Sequence, residues 1–199
     1  MINHVMGLFT HPTREWREIR SENESLRHLF LTHTLVLAAV PAVSGFIGTT
    51  LVGWQIGERQ PVMLTASSAL TIALATFVML LAGVWAMGSF IHWMARSYNA
   101  YPSLARCIAF ATYTASPLFI AGLAALYPHL WLGMSAGLVA LGYSAFLLYS
   151  GLPTFMDVSE EEGFLFSSSV MAVGLVVLVA IIAFSVVAWG FGAGPVYTR

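Results

Sequence analysis

Residues 164–191 read FLFSSSVMAVGLVVLVAIIAFSVVAWGF, a run from Phe164 to Phe191 without one charged side chain. A helix rises about 1.5 Å per residue, so this run exceeds the roughly 20 residues needed to cross the ~30 Å hydrocarbon layer of a bilayer. It has no polar stripe to turn towards water, so its solvent has to be lipid.

Four earlier stretches have the same character, at 29–52, 62–94, 104–126 and 130–149. The second is long enough for a strongly tilted helix or one projecting beyond the bilayer. Gly57-Glu58-Arg59-Gln60-Pro61 and Ser97-Tyr98-Asn99-Ala100-Tyr101-Pro102 read as loops by their Gly, Pro and Asn content. Tyr127-Pro128-His129 is so short that spans three and four must form an antiparallel hairpin, and residues 153–162 make an acidic loop. Of the 199 residues, 58% are hydrophobic and 9% charged. Soluble domains carry roughly 25% charged residues, so too little polar surface is left here to cover a water-facing globule. The expected fold is all-α: a polytopic membrane protein of about five transmembrane helices (29–199), preceded by an amphipathic interfacial N-terminal helix (1–28).

In that first segment Pro12 suits the first turn of a helix. Trp16, Ile19 and Leu26 follow near helical spacing, with Val5, Leu8 and Phe9 extending the apolar side if the helix starts earlier. Arg14, Arg17 and Arg20 make a second stripe, and Glu15, Glu18 and Glu22 a third. The pattern predicts a helix in the headgroup layer, anchored by Trp16 with Arg14, Arg17 and Arg20 on lipid phosphates. The alternative is a solvated helix packed on the loops. The patch from Val5 to Phe9 is short and has no basic region before it, unlike a signal peptide.

All eight basic residues are arginine. Arg14, Arg17, Arg20, Arg27, Arg96 and Arg106 fall on one side of the predicted topology, against Arg59 and Arg199 on the other. The positive-inside rule then puts the N-terminus in the cytoplasm and the C-terminus outside. The net charge of −1 gives no bulk field for nucleic acid.

Three groups of residues are candidates for function. Thr112, Tyr113, Thr114 and Ser116 surround Pro117 inside the third span. Proline frees a backbone carbonyl that such groups can satisfy, which makes either a polar notch or a kink that shapes packing. Pro41 stands in a similar position in the first span. His92, Arg96 and Arg106 lie at the cytoplasmic ends of spans two and three, where Asp157, Glu160, Glu161 and Glu162 could form a charge network with them; snorkelling arginines beside a solvated acidic loop are the alternative. His33 lies deeper in the first span and is cheap to bury when neutral.

No metal site and no cofactor are expected. Cys107 is the sole cysteine, and the six histidines include no i,i+4 pair. Gly133-Met134-Ser135-Ala136-Gly137 matches a serine-hydrolase elbow in letters alone. That elbow needs a strand-to-helix turn, whereas this string sits in an apolar span and reads as a Gly-x-x-x-Gly packing motif. No catalytic residues are expected.

Ala111-Thr112-Tyr113-Thr114-Ala115-Ser116-Pro117, then Gly122, Tyr127-Pro128, Gly142-Tyr143 and Leu147-Leu148-Tyr149-Ser150-Gly151-Leu152-Pro153 with Met156 beyond, form the most distinctive series in the chain. Together with Pro12, Trp16 and Ile19 it resembles the bacterial branch of the Yip1-domain family. The resemblance implies a five-span helical domain in the bacterial cytoplasmic (inner) membrane. Eukaryotic relatives act in vesicle traffic and bind Rab-type GTPases, but their Asp-Leu-Tyr-Gly-Pro string is not in this chain, so that partner does not carry over. The expected role is a non-enzymatic membrane-organising or adaptor protein. Membrane lipids, protein partners or further copies of itself would be its contacts. The competing expectation is a small-solute or ion transporter or channel, using the Tyr113–Pro117 notch with His92 and Arg96 near one mouth.

Overall fold

A computed structural model describes residues 2–21, 28, 30–54 and 61–198. Glu22, Leu26, Arg27, Arg59, Arg199 and the loop at 57–60, all used in reading the sequence, lie outside the described residues. The N-terminal segment is two helices rather than one, α1 (Ile2–Thr10) and α2 (Pro12–Ser21). Pro12 opens α2, where its missing N–H costs nothing, and the His11 carbonyl accepts from Arg14 and Glu15 N–H. α1 folds back on α2.

The first span is α3 (Leu35–Ile47), extended by π-helical turns at Phe30–Thr34 and Gly48–Val52. α4 (Ala66–Ala95) begins at a Thr65 cap, whose hydroxyl accepts from Ser68 N–H. A 3-10 turn closes it at Asn99, which takes the left-handed φ of 54° that Asn tolerates. α5 (Leu104–Thr114) is capped by Ser103, breaks at Ala115 and resumes as α6 (Ser116–Ala121), with Pro117 in the first turn. The two helices bend by 42° across that break. Then come α7 (Leu130–Met156) and α8 (Glu160–Ala188).

Among the described residues, four helices are long and apolar enough to cross a membrane, and five spans result when the bent α5–α6 pair counts as one. This is an all-α polytopic membrane protein, as its sequence predicts.

One connection differs. α7 continues through Pro153 to Met156, and Glu160, Glu161 and Glu162 form the first turn of α8, so the acidic loop shrinks to Asp157, Val158 and Ser159. The reason is capping at both ends. Asp157 takes φ 61° and Val158 N–H bonds the Pro153 carbonyl at 3.3 Å, a Schellman-type closure. Ser159 Oγ accepts from Glu162 N–H as the N-cap and donates to Glu162 Oε2 at 2.9 Å. The acidic side chains favour the positive end of the α8 dipole.

The core gathers at the end of the bundle that carries α1 and α2, where Ile108, Phe110, Leu147, Leu152, Phe155 and Phe166 are almost completely buried. Small residues let the spans approach there. A Cβ on Gly88 would lie 2.5 Å from Ile108 Cγ1, which holds α4 against α5. Further along the spans the outward side chains are large and apolar, Leu138, Val139 and Val179 among them, as a hydrocarbon solvent permits. At the far end the C-terminal tail is tied to the chain entering α4. Thr65 N–H donates to Val196 O at 2.8 Å and Thr198 N–H to Met63 O at 2.9 Å.

Candidate functional site

The side chains with most chemistry lie where the α1–α2 hairpin meets the bundle. Val5, Leu8, Trp16 and Ile19 recur at helical spacing, and the hairpin buries all four against α5 and α7. The Trp16 ring sits 4.9 Å from Phe110 and 5.6 Å from Phe155, centroid to centroid. Trp16 is therefore not the lipid-facing anchor the helical pattern suggests. It is 0% exposed, because α7 offers Gly151, an aromatic wall and no side chain to displace. Around it, Phe9 stacks on Tyr143 at 5.0 Å, and Tyr143 OH donates to Leu8 O at 2.9 Å.

The arginines of α2 diverge. Arg14 pairs with Glu18 at 3.7 Å on the outer face, and Arg17 Nε reaches only the Thr13 carbonyl. Arg20 turns inward, donating to Thr154 O at 2.9 Å and forming a two-point pair with Asp157 at 2.9 and 3.1 Å. The hydrogen bonds and charge of Arg20 hold the Asp157 carboxyl below the usual carboxylate range.

That pair replaces the expected network. His92 Nδ1 is 3.0 Å from the Pro102 carbonyl, bonding helix to loop. Among the described residues no acidic side chain pairs with Arg96 or Arg106, and Glu160 and Glu161 serve the α8 terminus. Glu160, Glu161 and Glu162 are held in the first turn of α8, and Asp157 is taken by the hairpin, instead of reaching α4.

The residues around Pro117 do not share one notch. Tyr113 is buried facing the hairpin, with its ring 6.1 Å from His4 and 5.6 Å from His33. His4 Nδ1 meets Glu15 Oε1 at 2.5 Å, a polar contact that ties α1 to α2 beside that tyrosine. His33 Nδ1 is 2.7 Å from Thr32 Oγ1, and Thr34 and Thr112 hydroxyls meet at 3.0 Å. Ser116 Oγ donates to Thr112 O at 3.2 Å and Pro117 is packed. Thr114 alone faces a cleft on the other side of α5. Reading the sequence missed His4, Glu15 and the Arg20–Asp157 pair; the folding-back at His11 that joins the first two leaves no mark in periodicity.

A Cβ added at Gly133 or Gly137 would meet nothing within 4 Å among the described residues, so the Gly-x-x-x-Gly face packs on no described helix of this chain. Ser135 Oγ bonds back to the Trp131 carbonyl.

This arrangement can be set beside known proteins. The Yip1-domain family profile matches residues 6–181, from within α1 to within α8. The chain belongs to the Yip1-domain family. Over 191 residues, 96% of this chain and 98% of the relative, it is 47% identical to the inner membrane protein YohC of Escherichia coli strain K12. The same figures hold for YohC of Escherichia coli O6:H1 strain CFT073. No solved structure matches. Membership and the apolar spans together make this a multi-pass inner-membrane protein of the family.

Proposed function

We propose that the protein is a non-enzymatic membrane-organising adaptor, whose partner surface is the outer face of the docked α1–α2 hairpin together with the first turn of α8. The observation that carries this reading is the complete burial of Trp16. It fixes α2 on the bundle, so Arg14, Arg17 and Glu18 stand in a set position instead of drifting among headgroups. Just beyond Asp157, which Arg20 binds, the exposed Glu160, Glu161 and Glu162 supply an acidic patch. A preset charged surface suits a protein partner or anionic lipid, since little ordering has to accompany binding. The arginine distribution favours the cytoplasm for this end and the N-terminus, with the C-terminus outside.

Transport would need a path between His92 and Tyr113. Ile91, Cys107, Ile108 and Phe110, none more than 1% exposed, occupy that region, which weighs for the adaptor.

Photoreactive amino acids at positions 17 and 161, irradiated in native membranes, test the proposal. Discrete protein adducts that disappear in Trp16→Ala are expected. Adducts to lipid alone, unchanged by Trp16→Ala, would sink it.

A further inference from the structure

A cleft of about 390 Å³ opens within the membrane-spanning part of the bundle, walled by α4, α5, α6, α7 and α8. Its volume lies in the range of small-molecule sites. Taking a methylene as close to the ~30 Å³ of a liquid water molecule, it has room for roughly a dozen. Leu80, Val84, Phe119, Leu148 and Val170 line it, and among the described residues no ionisable side chain does. Leu175 and Leu178 belong to its wall and are also 42% and 37% exposed, so the cleft opens past α8 to the apolar flank.

Three hydroxyl side chains break this apolar lining, Thr76 on α4, Thr114 on α5 and Ser144 on α7. Ser144 on α7 and Thr114 on α5 both line the cleft, and both hydroxyl oxygens are buried without a hydrogen-bond partner among the described residues. Ser144 as a whole is only 7% exposed. A helical serine or threonine ordinarily bonds the carbonyl four residues back. Thr112, Ser116, Ser150, Ser168 and Ser169 all do so here. The Thr114 and Ser144 hydroxyls leave that bond unmade, and an unmet buried hydroxyl is costly. Water is a poor occupant of the whole cleft, because each molecule needs two to four polar partners and the lining side chains other than Thr76, Thr114 and Ser144 are apolar.

We infer that this cleft binds one uncharged acyl chain bearing an ester carbonyl, with Ser144 and Thr114 donating to the carbonyl oxygen. The hydrocarbon walls take the chain, the lack of a charged group disfavours an ionised headgroup, and the lateral opening admits the ligand from the bilayer. This goes beyond the adaptor reading and does not rest on it, since it concerns the bundle interior and not the hairpin surface.

The test uses the purified full chain and two probes of equal length, a monoacylglycerol with a diazirine in its chain and the matching diazirine alkane. The ester is expected to label α7 and α8 residues that line the cleft about tenfold more strongly than the alkane. The double variant Ser144→Ala/Thr114→Val removes that preference, and Ala145→Leu, which fills the cleft, suppresses labelling by both. Gly174→Leu is a second occluding variant, because a Cβ there meets only Met87 Cε at 3.6 Å. Melting temperature identifies which occluding variant is folded. Equal labelling by ester and alkane overturns the inference. So does labelling that a folded occluding variant leaves unchanged, a preference that survives the double variant, or competition by phospholipid as effective as by unlabelled ester.

Discussion

Trp16 lies directly against Gly151, so closely that a Cβ on residue 151 would stand 2.4 Å from both Cε2 and Nε1 of the indole. The contact joins the first amphipathic element of the chain to the penultimate helix. Gly151→Ala is therefore expected to undock the hairpin, with an overpacking cost of about 1–3 kcal/mol. Trp16→Ala should cost more, about 3–5 kcal/mol, through the cavity it leaves. Thermal melts in detergent, with limited proteolysis between α2 and α3, measure both. A Gly151→Ala protein that melts and cleaves like the wild type would show that the hairpin tolerates a shifted seat.

Acid should loosen the same hairpin from its other edge. Asp157 has its carboxyl lowered by Arg20, so the pair contributes above the ordinary carboxylate value of about 3.9 and is lost as pH falls through the lowered one. The contribution of this pair to hairpin protection is expected to weaken below about pH 4. The effect is small because Asp157 is exposed to solvent. Arg20→Ala should remove this acid step, as read by proteolysis at each pH. Retention of the step in Arg20→Ala would assign it to other groups.

At the far end Ser68 holds the C-terminal tail by two bonds, donating to Gly194 O and accepting from Val196 N–H, each at 3.0 Å. Ser68→Ala deletes both, at about 0.5–1.5 kcal/mol each. Hydrogen exchange at Val196 should accelerate roughly tenfold or more while the spans keep their protection. Unchanged exchange would show that Thr65 and Met63 hold the tail unaided.

Ser135→Ala is expected to alter neither stability, beyond about 0.5 kcal/mol, nor any cellular phenotype of the protein. Its hydroxyl only bonds back to Trp131 O on an exposed helix face. Loss of phenotype with normal expression would reopen the hydrolase reading.

The spans are legible because hydrocarbon length and the absence of charge leave few alternatives: the run ending at Phe191 can do little but cross a bilayer. Trp16 is legible as one side of an amphipathic helix but not in its destination. Periodicity distinguishes apolar from polar faces, and it cannot say whether lipid or protein covers the apolar one. That choice lies with Gly151, a residue whose own pattern is silent. That Tyr113 and Thr114 point about 100° apart follows from helical periodicity, but which of them meets the hairpin and which the cleft depends on packing around the 42° bend at Ala115. The acidic cluster reads as a loop by composition, and its capping geometry takes it into α8 instead.

The seat of the hairpin also sets a timetable. Arg20 and the Thr154 carbonyl it binds are 134 residues apart in the chain. At about 5–20 residues per second of synthesis, the first two helices leave the ribosome on the order of ten seconds before their docking site exists. Through that interval Leu8, Trp16 and Ile19 have no protein to cover them, and the nearest apolar phase is the bilayer surface. The amphipathic pattern thus describes a waiting state as well as a finished one. α1 and α2 are made well before the helix they dock on and are among the last to reach their place.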